Sequence, residues 1–277
     1  MMIKNVWAVY FSGTGTTEKV VTTIAKEMAQ ALNAEYKTYN FNLPKAREEE
    51  LSFTADDLVV LGTPVYAGRV PNLLLPYVQG KIKGNGALGV PVVLYGNRNF
   101  DDGLMELKNV MRDNGFHPIA AAAVVGEHSF SRILGAGRPD AEDMALVAEM
   151  TQKAIEKVQA LESAPAEAIQ VAGCDPIRPY YTPRDRHGEP IRDFLKAKPE
   201  TDGDKCVKCG LCARLCPMGS IDFNDFSNVV GKCIKCCACV KKCPMGAKYF
   251  DHEGYLYHQH ELEDQFAGRR APTEIFY

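Results

Sequence analysis

The chain has 277 residues, 46% hydrophobic and 24% charged, a globular composition long enough for one large domain and one small one. A formal charge of −3 gives no bulk attraction for nucleic acid. No run of about 18 apolar residues occurs, so no membrane span is expected, and Met1-Met2-Ile3-Lys4-Asn5-Val6-Trp7 lacks the apolar core of a secretory signal, which makes the cytoplasm the expected location.

Residues 1–163 alternate strand-like runs with helical patterns. Val6–Phe11 is a short β-branched and aromatic run, followed by the polar loop Ser12-Gly13-Thr14-Gly15-Thr16-Thr17. Val20, Val21, Ile24, Ala25, Met28 and Leu32 then recur at helical spacing. Glu35–Phe41 reads as a weaker strand. Leu58–Thr63 and Val90–Tyr95 are nearly continuous apolar runs of strand length, as buried parallel strands are. Leu104–Met111 predicts a helix and Ile119–Val125 a fifth strand. Ala141–Leu161 is the longest helical pattern, opening at Pro139-Asp140, where Pro and Asp suit a helix start. Strands alternating with helices imply βαβ units and a parallel α/β sheet.

Residues 164–198 lose this periodicity. Pro165, Pro176, Pro179, Pro183 and Pro190 sit among charges, and the segment reads as an extended linker. Residues 199–252 form a second domain built on an internal repeat. Cys206-Val-Lys-Cys209-Gly-Leu-Cys212-Ala-Arg-Leu-Cys216-Pro-Met-Gly219 recurs as Cys233-Ile-Lys-Cys236-Cys-Ala-Cys239-Val-Lys-Lys-Cys243-Pro-Met-Gly246, at a constant offset of 27. Neither copy is large enough to bury a core of its own, but two copies folded around metal gain the ligand-binding free energy as folding free energy. Residues 253–277 form an aromatic-rich tail, expected to dock back on the protein.

Nine of the ten cysteines lie between 206 and 243. A disulfide scaffold needs an oxidising compartment, and crowded thiols in a reducing cell point to metal. Zinc sites favour two separated C-x₂-C pairs. Here the run is C-x₂-C-x₂-C-x₃-C-P, twice, which suits the four soft thiolates of an iron–sulfur cuboid. In this two-cluster pattern the fourth cysteine of each run serves the other cluster. The expected ligand sets are therefore Cys206, Cys209, Cys212 and Cys243 on one [4Fe–4S] cluster, and Cys233, Cys236, Cys239 and Cys216 on the other. Cys237 falls where the first copy has Gly210, so it is no ligand; it and the linker's Cys174 are expected to be small buried hydrophobes. On these motifs, residues 200–251 resemble the bacterial two-[4Fe–4S] ferredoxins, a small α+β domain, which implies low-potential one-electron transfer. The segment departs from the acidic ferredoxins in carrying Lys205, Lys208, Arg214, Lys232, Lys235, Lys241, Lys242 and Lys248. Those cations could offset cluster charge, face an acidic partner, or be a solvated face.

The loop at 12–17 opens a helix, where unpaired N–H groups and a partial positive charge receive anions. It has no lysine for a Walker A loop, and Glu18 stands where a dinucleotide fingerprint needs its third glycine. A hydroxyl-rich loop without lysine suits a single monophosphate. Ser12, Thr14, Gly15 and Thr17 match the flavodoxin pattern [ST]-x-T-G-x-[ST], and residues 4–161 resemble the flavodoxins in βα order. The resemblance implies a doubly wound five-stranded sheet of order 2-1-3-4-5 with FMN outside the carboxyl ends of the strands. It places the phosphate on Ser12, Gly13, Thr14, Gly15, Thr16 and Thr17. It places the ring between the loop bearing Pro64, Tyr66 and Gly68 and the loop bearing Gly96, Asn97 and Arg98. Tyr66 is a candidate for ring stacking, Gly96 and Asn97 for the ring edge, and Arg98 for reduced flavin or for a pair with Asp101 or Asp102. Arg69 has the same ambiguity, and His128 of the Glu127-His128-Ser129-Phe130 loop could line the same face.

Together, Thr63–Pro71, Tyr95–Arg98, Gly126–Ser129 and the cysteine repeat resemble fused flavodoxin-like and two-cluster ferredoxin proteins of anaerobic bacteria and archaea, often labelled ferrodoxins. The resemblance implies an electron carrier between redox proteins, one donor and one acceptor. Two other readings stay open. The flavin could reduce a small substrate while the clusters feed it, or Cys237 or Cys174 could act as a redox-sensing thiol, which requires a depressed pKa and exposure.

Overall fold

The computed structural model describes all residues, 1–277. The first strand, β1 (Asn5–Tyr10), leads through the polar loop into α1 (Thr16–Ala31) and then β2 (Glu35–Asn40). Strand β3 (Asp57–Pro64), helix α2 (Leu75–Lys81), strand β4 (Leu88–Tyr95), helix α3 (Gly103–Asp113), strand β5 (Ala121–Val125) and helix α4 (Ala141–Ala160) complete the large domain. The five strands are parallel in the order 2-1-3-4-5, with Tyr10 level with Gly62, Gly62 with Val92 and Tyr95 with Val125. This is the flavodoxin-like order expected from the sequence.

The sheet buries both faces. On one side Val20, Val21, Ile24, Ala25 and Met28 of α1 join Val147, Met150 and Ile155 of α4 against Val6, Ala8, Leu58 and Val60. Each large aliphatic side chain so buried contributes about 1.5–3 kcal/mol. On the other side Tyr77 and Val78 of α2 and Leu104, Leu107, Val110 and Met111 of α3 pack on Val9, Val59, Leu61 and Val93. Helix α4 starts on a capping box, in which Asp140 accepts from the Glu142 and Asp143 amides and Asp143 reaches back to the Asp140 amide.

Apolar periodicity does not reveal α2, nor two further elements in the tail. Helix α7 (Glu253–Phe266) leads to a three-residue strand, Glu274–Phe276, which joins the sheet antiparallel beside β5, so the sheet extends beyond the five expected strands. The linker runs over the start of α3, where buried Asp102 accepts from the amides of Cys174 and Arg178 and from the Arg178 guanidinium. That anchor holds the Asp102 carboxyl well below the usual carboxylate range, through the Arg178 hydrogen bonds above all. Cys174 is exposed, contrary to the expectation of a buried hydrophobe: only its backbone is tied down.

The cysteine repeat is visible in the backbone. Short helices α5 (Leu211–Leu215) and α6 (Ala238–Lys241) occupy equivalent places. Lys208 and Lys235 have φ of 53° and 58°, Gly210 and Cys237 72° and 56°, and Gly219 and Gly246 60° and 62°. An antiparallel pair, Glu200–Thr201 with Lys248–Tyr249, closes this domain.

Gly62 packs so tightly under α1 that an added Cβ would stand 2.2 Å from Val21 Cγ2. Gly62→Ala is expected to destabilise the large domain by about 1–3 kcal/mol through overpacking, read as a lower thermal midpoint in far-UV circular dichroism.

Candidate cofactor sites

The loop between β1 and α1 is shaped from within. Ser12 is buried; its Oγ accepts from the amides of Gly15 (3.2 Å) and Glu18 (3.1 Å), and its backbone is held on both sides by Asn42. Ser12 therefore braces the loop. Gly15 takes φ of 111° at the helix start, with nothing within 4 Å of where a Cβ would stand. The amides of Gly13, Thr14, Thr16 and Thr17 have no partner in the chain, nor do the hydroxyls of Thr14, Thr16 and Thr17. Seven unengaged donors around an open glycine at a helix start form a cradle that fits a phosphate. At the same edge of the sheet, the Oγ1 of Thr63, at the end of β3, is buried without a partner. An orphan hydroxyl of this kind costs about 1–3 kcal/mol and calls for a polar group to meet it. Thr63 opens the Thr63–Pro71 stretch that carries the family likeness, but sequence reading assigns it no separate role, because a threonine closing an apolar run looks like any other strand residue.

The two loops expected at the ring differ in what they leave free. After Pro64, Tyr66 bridges back to Arg69 around a tight turn at Ala67-Gly68, both in left-handed conformation, and Gly68 has no room for a side chain beside Asp101. Tyr66 is half-buried, and burial and the neighbouring Cys236, Cys237 and Cys233 push its phenol pKa up. Arg69 pairs with Glu106 and stacks on Tyr180, 4.2 Å from the ring centre. In the second loop Gly96 lies under the His128 ring, too close for any Cβ. The Asn97 side chain, a candidate for the ring edge, is engaged within the chain: its Nδ2 donates to Phe266 and Arg269 carbonyls at 2.8 and 2.9 Å, and its Oδ1 accepts from the Ala271 amide at 3.0 Å. The Arg98 side chain pairs with Asp101 and lies over Tyr181. The amides of Gly96, Asn97 and Arg98 remain without partners. His128 accepts from the Phe130 amide through Nδ1 at 3.1 Å, which leaves the proton of the neutral ring on Nε2. Burial, then His258, Lys241 and Arg98, depress its pKa to about 3, so it is neutral at pH 7.

In the small domain two hollows are lined by cysteines. One is bordered by Cys206, Cys209, Cys212 and Cys243, the other by Cys216, Cys233, Cys236 and Cys239, with Cys237 also in its lining. The fourth cysteine of each run stands with the first three of the other. Backbone amides point at the sulfurs in matching places: Ser220 N lies 3.3 Å from Cys216 Sγ and Ala247 N 3.3 Å from Cys243 Sγ. Burial raises the Cys243 thiol, but the amides around it outweigh that and its pKa is lowered overall. Nowhere do three or more His, Cys, Asp or Glu side chains converge as they would on a single ion. Four thiols spread around one hollow fit a cuboid cluster. Cys237 is buried and in contact with the Tyr255 hydroxyl at 3.3 Å; burial pushes its thiol up to about 12, the opposite of a reactive sensor thiol.

The two domains share an edge. A Cβ on Gly13 would stand 3.0 Å from the Cβ of Cys236, and Cys236 and Ala238 belong to the same apolar cluster as Phe11, Phe41 and Val93. Lys241, its side chain 10% exposed, donates to Glu127, to the His128 carbonyl at 2.6 Å and to the Ser131 carbonyl at 2.7 Å. Arg47 donates to the Pro217 carbonyl. Of the eight cations noted in the small domain, Lys235 and Lys248 are also buried, on the Leu195 and Phe226 carbonyls.

Comparison with known proteins matches these two halves separately. A family model described as a flavodoxin domain matches residues 8–90, and one described as a 4Fe-4S dicluster domain matches residues 198–244. No curated protein matches the chain. Among solved structures, the chain is similar to a flavodoxin from the domain Archaea, at 14% identity over 57% of this chain and 99% of that one, with a TM-score of 0.40. It is similar to oxidised flavodoxin 2 of Bacillus cereus, at 14% identity over 56% and 99%, with a TM-score of 0.42. It is also similar to the rubredoxin oxygen:oxidoreductase of Desulfovibrio gigas, at 16% identity over 57% of this chain and 37% of that one, with a TM-score of 0.39.

The parallel sheet with its phosphate cradle, the duplicated cysteine loops and the two family matches define a redox protein with a role in electron transfer. It joins a flavodoxin domain and a 4Fe-4S dicluster domain in one chain, and these domains imply FMN and iron–sulfur clusters as its cofactors. No helix is long and apolar enough to cross a membrane.

The crossed ligand sets make a specific prediction. Cys216 belongs to the first repeat, yet Cys216→Ser should remove the cluster held by the second, lowering iron from about eight to about four atoms per chain. Iron and sulfide analysis with spectroscopy of the remaining cluster checks this; loss of the cluster held by Cys206, Cys209 and Cys212 instead would show that the ligands do not cross.

Proposed function

We propose that the protein carries electrons between a donor and an acceptor redox protein, with its cofactors set in series from the surface inward. When bound, FMN exchanges one or two electrons and each cluster exchanges one. Cys206, Cys209, Cys212 and Cys243 would hold the outer cluster, beside exposed Val207 and Met245, with Cys209 itself exposed. Cys216, Cys233, Cys236 and Cys239 would hold the inner one. Gly13, Thr14, Gly15, Thr16 and Thr17 would hold the phosphate, braced by Ser12, and Pro64, Tyr66, Gly68, Gly96, and the Asn97 and Arg98 backbone would border the ring.

The observation that carries this order is the contact of Cys236 with Gly13, which sets an inner-cluster ligand directly on the phosphate loop. A partner docking on the small domain would meet the outer ligands first. The ring loops, in turn, are overlaid by the chain's own segments. Tyr181 donates its amide to the Ala67 carbonyl, Tyr180 its hydroxyl to the Val70 carbonyl, and the tail holds Asn97.

The series is tested by removing its outer station. Cys206→Ala/Cys209→Ala should keep FMN and about four irons. Reduction of the flavin by a reduced ferredoxin, followed by stopped-flow absorbance, should slow by at least about tenfold, or about 1.4 kcal/mol in barrier. An undiminished rate with the inner cluster intact would show that the flavin takes electrons without the outer cluster.

A further inference from the structure

The C-terminal segment engages the Gly96–Arg98 loop through nearly every acceptor that loop has. Asn97 is 2% exposed and in left-handed conformation, φ 64°. Its side-chain amide donates twice to the tail and accepts once from it. Arg269 returns the contact, donating to the Asn97 carbonyl at 3.0 Å and to the Arg98 carbonyl, while lying over the Phe266 ring. The amides of Gly96, Asn97 and Arg98 are left without partners. With its carbonyls engaged on the tail, the loop has donors to offer and few acceptors.

The tail that does this is itself fixed to the sheet. Glu274–Phe276 pairs with β5, the Tyr95 hydroxyl donates to the Pro272 carbonyl, and Thr273 donates to Asp143 at 2.7 Å. Asp143 is also paired with Arg138, whose guanidinium reaches the Ala271 carbonyl at 3.2 Å. Arg270 pairs with Asp140. The segment from 266 to 276 is therefore a built part of the large domain, although it follows the ferredoxin half in sequence.

We propose that residues 266–271 form a third wall of the flavin site, which presets the Gly96–Arg98 loop as a donor surface for the acceptor-rich edge of the ring. The inference rests on FMN being the ligand of this domain. Its physical content is preorganisation: the tail holds the loop's amides ready before the ring arrives, so less ordering is lost on binding. Donors at the ring edge favour the charge gained on reduction, so the same contacts raise the flavin potential.

Two variants test it by different routes. Asn97→Asp keeps the shape and the bond from Ala271 but sets a carboxylate against the Phe266 and Arg269 carbonyls. Arg269→Met keeps the apolar stem and frees the Asn97 and Arg98 carbonyls, without altering any side chain of the loop. FMN affinity should fall by about tenfold or more in the first, the equivalent of one lost hydrogen bond, and by a few-fold in the second. The flavin midpoint potential should move negative in both, with iron content and cluster potentials unchanged. Wild-type affinity and flavin potential in folded Arg269→Met protein would overturn the proposal. So would a parallel loss of flavin, clusters and thermal stability in both variants, which would mark the tail as scaffold alone. Wild-type protein that takes up no FMN would instead overturn the flavin assignment, and this inference with it.

Discussion

The contact between Gly13 and Cys236 governs the rest of the molecule. Glycine at 13 lets the backbone of the phosphate loop approach Cys236 closely; a Cβ there would stand 3.0 Å from the Cys236 Cβ, tighter than an ordinary contact. Around that point the interface has the character of a domain core, since Cys236 and Ala238 sit in the same apolar cluster as Val9, Phe11 and Phe41. Lys241 then fixes the orientation. Its amine reaches three oxygens of the loop after β5 from a largely buried position. An amine left in that position without its partners would cost several kcal/mol, so the halves have little freedom to rotate. Electron transfer depends steeply on distance, and this packing makes the distance a property of the fold.

The ferredoxin half depends on that packing as well. Its own apolar core is small: Ala197, Cys237, Phe250 and Tyr255. Of these, Ala197 comes from the end of the linker and Tyr255 from α7, whose buried His258 lies edge-on to the large domain's Phe130. Cluster ligation must supply much of the remaining stability, as in other small metal-built domains. The linker and the tail are thus structural partners of both halves. This explains why they carry so many aromatic residues: Phe194, Tyr255 and Phe250 form a stack bridging segments that are far apart in sequence.

The sheet was legible in the sequence because buried parallel strands read as uninterrupted apolar runs and α1 and α4 carry a clear period. Helix α2 was not, because seven residues that include Pro76 and Gly80 make too short a pattern. The final strand is three residues long and takes its place from its neighbour β5 and from Ile275 and Phe276 packing on the two apolar faces. The cysteine sets were legible because ligand spacing is a local constraint imposed by the metal. Asn97 illustrates the opposite case. Its place after β4 made it a plausible ring contact, and only the fold reveals that its hydrogen bonds go to residues 266–271. Cys174 shows the same limit: composition suggested burial, whereas the anchor at Asp102 holds its backbone and leaves the thiol outside. Contacts between distant segments leave no periodic trace.

The duplication of the cysteine loops is close in backbone and broken in environment, and the break has a direction. Lys208 and Lys235 occupy equivalent places with nearly equal φ, yet the first is exposed and the second is buried on the Leu195 carbonyl. Arg214 caps the Cys209 carbonyl within its own repeat, while its counterpart Lys241 crosses to the flavin domain. Gly210 is replaced by Cys237, which fills space beneath Tyr255. Each change moves the second loop from water toward protein. A charged cluster loses solvation there, and an added electron becomes harder to accommodate unless a cation is close. Buried Lys235 supplies that cation beside the inner ligands. The two sets of cysteines therefore share a backbone form but lie in different dielectric surroundings, so the potentials of the clusters they would hold are set separately, one by water and the other by the fold.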